Sequence, residues 1–235
     1  FADSPDRLRR FEHEARSAGR LSPPHIVSIF DAGLDGTQPY LVTELLDGET
    51  LGALSVTDLA IFRDTYDALL LANATVPTPD ARLARDGRTP ADVARDAATA
   101  LEAYLDANHE TVAALIVEPL VQGASGMVTY DASYLARARE LCTHYGVHLI
   151  ADEIMTGFGR TGTLFAWEQA HAGAPDLLCL SKGITGGVLP LSCVLATDEV
   201  FAAFYDDEVA RGFLHSHSYT GNPLACRAAL TVLDI

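Results

Sequence analysis

Three short apolar runs, each ending in a residue with a chemical use, set what this chain can fold into. VAALIVEPL carries Glu118 near its end, HLIAD ends in Asp152, and DLLCL is followed at once by Ser181 and Lys182. Runs of this length bounded by polar and Gly-rich breaks read as buried strands. The amphipathic YLARARELCTHYG separates the first two, and the helical pattern LFAWEQAHA separates the second from the third. Strand, helix and strand in alternation predict parallel pairing. That pairing gathers the carboxyl ends of the strands on one edge, where open α/β sheets bind ligands. Glu118, Asp152 and Lys182 are therefore expected to share one crevice.

Each residue alone has an ordinary structural explanation. A carboxylate just past a strand often caps the next helix, and a lysine at a strand end is usually a solvated terminus. Their coincidence at successive strand ends points to chemistry. Lys182 lies between Ser181 and Gly183, with a Gly186-Gly187 turn beyond, which leaves room for a planar group. Desolvation lowers an amine's pKa and frees it to attack a carbonyl. A buried aspartate can keep a pyridine nitrogen protonated, which turns the ring of pyridoxal phosphate (PLP) into an electron sink.

The strings DEIMTGFGRTG at 152–162 and DLLCLSKGITGG at 176–187 resemble the signature of class III, PLP-dependent aminotransferases. EPLVQGASGM at 118–127 and HSHSYTGNPLAC at 215–226 add to the resemblance, which covers about residues 48–235. It implies an α/β fold, the large domain of a type I PLP-dependent transferase in incomplete form. Such a domain is a mostly parallel sheet with helices on both faces. It further implies Lys182 as the catalytic lysine that carries PLP, Asp152 on the pyridine nitrogen and Ile154 on one face of the ring. Ser218, with His217 beside it, would hold the PLP phosphate across a dimer interface; Ser216 would border the substrate, and Glu118 would orient neighbouring polar groups. The family's Gly-Ser phosphate loop and carboxylate-binding arginine would lie outside these residues. Within the class the motifs look most like the branch that passes an amino group from S-adenosylmethionine to 8-amino-7-oxononanoate, an amino ketone, in biotin synthesis.

Charge and composition exclude other classes. Thirty-two acidic against 16 basic residues leave a formal charge of −16, which suits neither nucleic acid nor an anionic membrane surface. No apolar run reaches the length of a spanning helix. Cys142, Cys179, Cys193 and Cys226 lie far apart without a C-x-x-C pair and read as reduced, buried thiols of a cytoplasmic protein. The histidines show no metal spacing, so no metal site is expected. The start at Phe1 and the stop inside a helical pattern at Ile235 read as a piece of something longer.

Residues 1–47 have a different character. DRLRRFEHEARSAGRL at 6–21 predicts an amphipathic helix ended by Pro23-Pro24. HIVSIFDAGLDGTQPYLVTELLDG then predicts two strands joined near Asp35-Gly36. This αββ segment resembles the N-lobe of bacterial Ser/Thr protein kinases from the αC helix to the hinge, with Glu14 at the αC glutamate and Leu45-Leu46-Asp47 at the hinge. No H-R-D or D-F-G follows, so phosphoryl transfer is not expected. Leu46 and Asp47 stand where the aminotransferase family carries Tyr-His, and no linker separates the two parts, as at an abrupt fusion. The alternative functional reading is a catalytically inactive scaffold with a kinase-like binding module.

In the remainder, Thr89-Pro90 predicts a capped helix start for ADVARDAATALEAYLDAN. LPLSCVLAT predicts a strand, DEVFAAFYDD a helix, and PLACRAALTVL a final helix after the polar turn at His215–Asn222.

Overall fold

The computed structural model describes residues 29–35, 38–43, 51–57, 59–64, 66–212 and 220–235. By its internal packing the chain divides into two units, one ending at Thr75 and one running from Val76 to Ile235.

In the first unit, β1 (Ile29–Asp35) and β2 (Gln38–Thr43) pair antiparallel, with an irregularity between Ile29 and Asp31. Both strands fall where the sequence places them. Helix α1 (Leu51–Val56) is followed by the single turn α2 (Ala60–Arg63). Ser55 is buried and holds the chain beyond: its hydroxyl accepts the Leu71 N–H at 2.9 Å and its carbonyl accepts Asn73 Nδ2 at 3.0 Å. The predicted helix at 6–21 with Glu14, and the junction at Leu45–Asp47, lie outside the described residues.

The second unit opens with α3 (Pro90–Asn108). Thr89 Oγ1 accepts the Asp92 N–H, and the Asp92 carboxylate accepts the Thr89 N–H at 2.8 Å, a reciprocal cap with proline at the first helical position. There follow β3 (Ala114–Val117), the short ribbon β4 (Val121–Gln122) and β5 (Val128–Thr129), α4 (Ala132–Tyr145), and β6 (His148–Asp152). Gly146 ends α4 in the left-handed conformation, φ 69°, which glycine adopts without steric cost. Strands β7 (Leu177–Leu180) and β8 (Cys193–Ala196), then α5 (Asp198–Ala202) and α6 (Pro223–Leu233), complete the unit. The sheet order is β3-β6-β7-β8, with the first three parallel and β8 antiparallel.

Alternation along the strands decides which face is the core. Leu149, Ala151, Leu178 and Leu180 are buried, while Ile150, Asp152, Leu177 and Cys179 between them are only half-buried. The buried set meets α3 and α4 through Leu101, Leu105, Leu135 and Leu141, and meets α6 through Ala229. Among the described residues, then, helices bury one face of the sheet, whereas the sequence reading expected helices on both. The opposite edge is pinned by Asp176. Its carboxylate accepts the Leu149 N–H at 2.6 Å and pairs with Arg139 at 2.7 Å. Burial pushes Asp176 up, but these two donors outweigh it and hold the carboxyl below its ordinary value.

One crossover differs from expectation. LFAWEQAHA forms only a 3₁₀ turn, Ala166–Ala170, closed by His171 in the left-handed region at φ 52°. Five residues are too few to repay helix nucleation, and the turn relies on a tertiary cap, a carboxylate from the end of β6 that accepts its first N–H groups. The cysteines are free, but only Cys142 is fully buried; Cys179, Cys193 and Cys226 are half-buried.

Candidate active site

Parallel β6 and β7 end side by side, with Asp152 opposite Cys179. Asp152 is the last residue of β6, on the half-buried face. Its Oδ1 accepts the Ile154 N–H at 3.0 Å, and its second oxygen has no hydrogen-bond partner among the described residues. Glu118 follows β3, and its Oε1 accepts the Gly123 N–H at 3.0 Å. Lys182 opens a 3₁₀ turn, Lys182–Thr185, just after β7 and is exposed. Among the described residues its amine makes no hydrogen bond or ion pair.

The three are electrostatically coupled. Burial pushes the Glu118 carboxyl up; the Gly123 N–H counters this, the Asp152 carboxylate adds to it, and the Lys182 ammonium pulls it down. Burial likewise raises Asp152, against the Ile154 N–H and Lys182. The strand ends thus bring an acid, an acid and an amine within each other's field, as the spacing of the three runs implies. His217, Ser218 and Ser216 lie outside the described residues, as does the whole 213–219 segment.

A folded-state carboxyl raised above its unfolded value binds protons more readily in the folded chain. Stability then falls as pH climbs from the ordinary carboxylate value near 4 through the raised one. Asp152→Asn removes one such group. Its urea midpoint is expected to gain on the wild type as pH rises through that window, and a gap that stays constant across pH would contradict the burial of this carboxyl.

Sequence reasoning missed two residues and one signal. Glu153, next to Asp152, is fully buried. Its carboxylate accepts the Ala166 N–H at 2.9 Å, the Trp167 N–H at 2.8 Å and the Thr156 hydroxyl at 3.1 Å. Period-two alternation could have found it: of two successive acids at a strand end only one can face the crevice, so the other must enter the core and find donors there. Phe158 lies over Gly183, at 2.9 Å from where a side-chain carbon would sit. The missed signal is that Lys182 is the only lysine in the chain. A cavity of about 300 Å³ opens beside the site, lined by Val121, Met127, Met155, Thr156, Arg160 and Thr161, between the loop after β3 and the loop after β6. A groove of about 390 Å³ between α3 and α4 shares no residue with the strand ends.

A parallel sheet that delivers a carboxylate and a free amine to one edge is the arrangement of the class III aminotransferases, and the chain belongs to that family, which matches residues 42–235. The match begins inside β2, ahead of the expected start near residue 48. In sequence the chain is 49% identical over 189 residues to the adenosylmethionine-8-amino-7-oxononanoate aminotransferase of Helicobacter pylori, covering 80% of this chain and 41% of that protein. It is 41% identical over 195 residues to the enzyme of the same name from Geobacter sulfurreducens, covering 82% and 43%. Among solved structures, it matches the adenosylmethionine-8-amino-7-oxononanoate aminotransferase of Methanocaldococcus jannaschii with a TM-score of 0.69 at 33% identity, over 80% of this chain and 41% of that one. An amine transaminase from an uncultivated Pseudomonas species in its PLP-bound form matches with a TM-score of 0.71 at 38% identity, over 80% and 43%. The chain spans about two-fifths of the length of these relatives.

The class works with pyridoxal 5′-phosphate, and the described residues fit it. Asp152 keeps one carboxylate oxygen open to accept from a ring N–H, and the amine of the only lysine stands at the neighbouring strand end without a partner among the described residues. No helix among the described residues is long and apolar enough to cross a membrane. Among them no group of three or more His, Cys, Asp or Glu could hold a metal ion.

Proposed function

We propose that this chain is part of a PLP-dependent aminotransferase that passes an amino group from S-adenosylmethionine to 8-amino-7-oxononanoate in biotin synthesis. The observation that carries the reading is the placement of the only lysine at the end of β7, in the field of Asp152 at the end of β6. PLP, when bound, supplies an electron sink for the pair released as the substrate's Cα–H bond breaks. Lys182 Nζ would hold the coenzyme, and as the one side-chain amine there it would serve as the group that takes up and gives back the substrate's Cα proton. Asp152 would accept from the ring N–H and favour its protonated form, and Ile154 would pack against the ring. Glu118 orients the polar groups around Gly123. Ser218 and His217 hold the phosphate and Ser216 borders the substrate, a reading supported by their place in the family motif alone. A homodimer and a cytoplasmic location follow from the same resemblance.

The test is direct because one amine does the work. Incubation with PLP followed by borohydride reduction is expected to fix one coenzyme per chain at Lys182, read by mass spectrometry. Lys182→Ala should lose the visible absorbance band and the trapped adduct together. Trapping that persists undiminished in Lys182→Ala would refute the assignment. For residues 1–47 the kinase-like reading draws its support from the sequence, together with the hairpin at Ile29–Thr43; it would make this segment a binding module without phosphoryl transfer.

A further inference from the structure

We infer that Glu153 and Phe158 are positioning residues for Lys182: the buried carboxylate anchors the loop after β6, and the anchored loop presses a phenyl ring onto Gly183. This rests on the reading of Lys182 as the coenzyme-bearing amine. Glu153 ties the two ends of the loop together. Its backbone N–H donates to Cys179 O on β7 at 2.9 Å and its carbonyl accepts the Gly157 N–H at 3.0 Å, while its carboxylate holds Ala166 and Trp167 thirteen and fourteen residues on. Gly157 is itself confined, since a side-chain carbon there would lie 2.9 Å from the Glu153 carbonyl oxygen.

Between these ties the loop carries Phe158 in the left-handed backbone region, φ 60°, with its ring edge-on to Phe165 at 5.9 Å between centroids. The Phe158 side chain occupies the space a Gly183 side chain would need, with Cβ and Cδ2 both 2.9 Å from that position. Directly before Gly183, Lys182 is also left-handed, φ 41°. Two non-glycine residues in a disfavoured conformation therefore flank a single contact. Such strain persists only where the surroundings over-determine it, and it clusters at functional sites. On one side the surroundings are the Glu153 anchor. On the other they are the Ser181 hydroxyl donating to Leu191 O at 2.7 Å and the Gly187 N–H donating to Lys182 O at 3.2 Å. The contact fixes the backbone from which the Lys182 side chain departs, and reactivity depends on such placement steeply.

The sole lysine makes the backbone readable. Full-length chain labelled with ¹⁵N-lysine gives one backbone amide resonance, whose three-bond HN–Hα coupling reports φ of residue 182. Phe158→Ala and Glu153→Gln are expected to move that coupling away from its left-handed value. Phe158→Tyr, which keeps the ring, is expected to preserve it, as is Asp176→Asn, which loosens the opposite edge of the sheet. In the same samples, the rate of PLP attachment to Lys182 trapped by borohydride should drop at least tenfold in Phe158→Ala, and the induced circular dichroism of the bound coenzyme should fall with it. Wild-type coupling in Phe158→Ala and Glu153→Gln overturns the inference whatever PLP does. Altered coupling in a protein whose wild type takes no PLP upholds the positioning of residue 182 and refutes the coenzyme reading instead. If Phe158→Ala does not fold, Gly183→Ala probes the contact from the other side with the same readouts.

Discussion

Glu153→Ala is expected to cost about 3 kcal/mol or more, because it strips the acceptor from three donors at once. The carboxylate is fully buried, and it is the acceptor for the Ala166 and Trp167 N–H groups and for the Thr156 hydroxyl. Alanine removes the acceptor and leaves the donors, two of them main-chain, without their protein partner. Each unsatisfied donor of this kind costs roughly 1–3 kcal/mol by itself. Burial raises the Glu153 carboxyl, but the Ala166 and Trp167 N–H groups and the Thr156 hydroxyl pull the other way, so the charge is held by directed donors rather than by a counter-ion. Glu153→Gln keeps an oxygen for one side and turns an NH₂ toward the other, so its loss is expected to be smaller than that of alanine. Urea unfolding followed by the fluorescence of Trp167, the only tryptophan, is the measurement; its own N–H is one of the donors at stake. A midpoint for the alanine variant indistinguishable from wild type would mean that the carboxylate is dispensable.

Leu101→Ala is expected to cost about 2–5 kcal/mol through the cavity it opens between α3, α4 and the sheet. Leu101 is 1% exposed and sits among Leu105, Leu135 and Leu141 in the larger of the two apolar clusters. The side chains around it belong to helices held at both ends by caps and to a strand tied to its neighbours, so the site has little freedom to collapse. Leu83, 54% exposed, provides the contrast: its replacement by alanine should stay within about 0.5 kcal/mol. Denaturant melts of the two variants side by side separate burial from composition. Equal losses would mean that α3 does not pack as described.

How much of this was readable beforehand depended on whether local chemistry or distant partners decided the outcome. Thr89-Pro90 and Asn222-Pro223 mark helix starts through caps and through proline, interactions confined to a few neighbouring residues, and both helices begin where those signals stand. The runs ALIV, HLIAD and LLCL announce strands because their apolar content leaves no other place for them. The crossover after Leu164 failed for the opposite reason. Its apolar spacing is helical, but only Ala166–Ala170 turns, and the cap on its first N–H groups comes from Glu153 in another part of the chain, which no local pattern records. The placement of Asp152 and Lys182 at neighbouring strand ends was legible because strand ends in a parallel sheet must converge. Phe158 was not, since its use lies in a contact with Gly183, 25 residues away in the sequence, that only the folded chain creates.

The half-covered sheet has a calorimetric consequence. Heat capacity of unfolding and denaturant slope both scale with the surface newly wetted, and Ile150, Leu177 and Cys179 already meet solvent in part before the chain unfolds. The unit Val76–Ile235 therefore melts with a shallower curvature against temperature than a domain of its length whose sheet is sheathed on both sides. Whatever comes to lie against these half-buried residues sharpens the transition without altering a single bond within the unit.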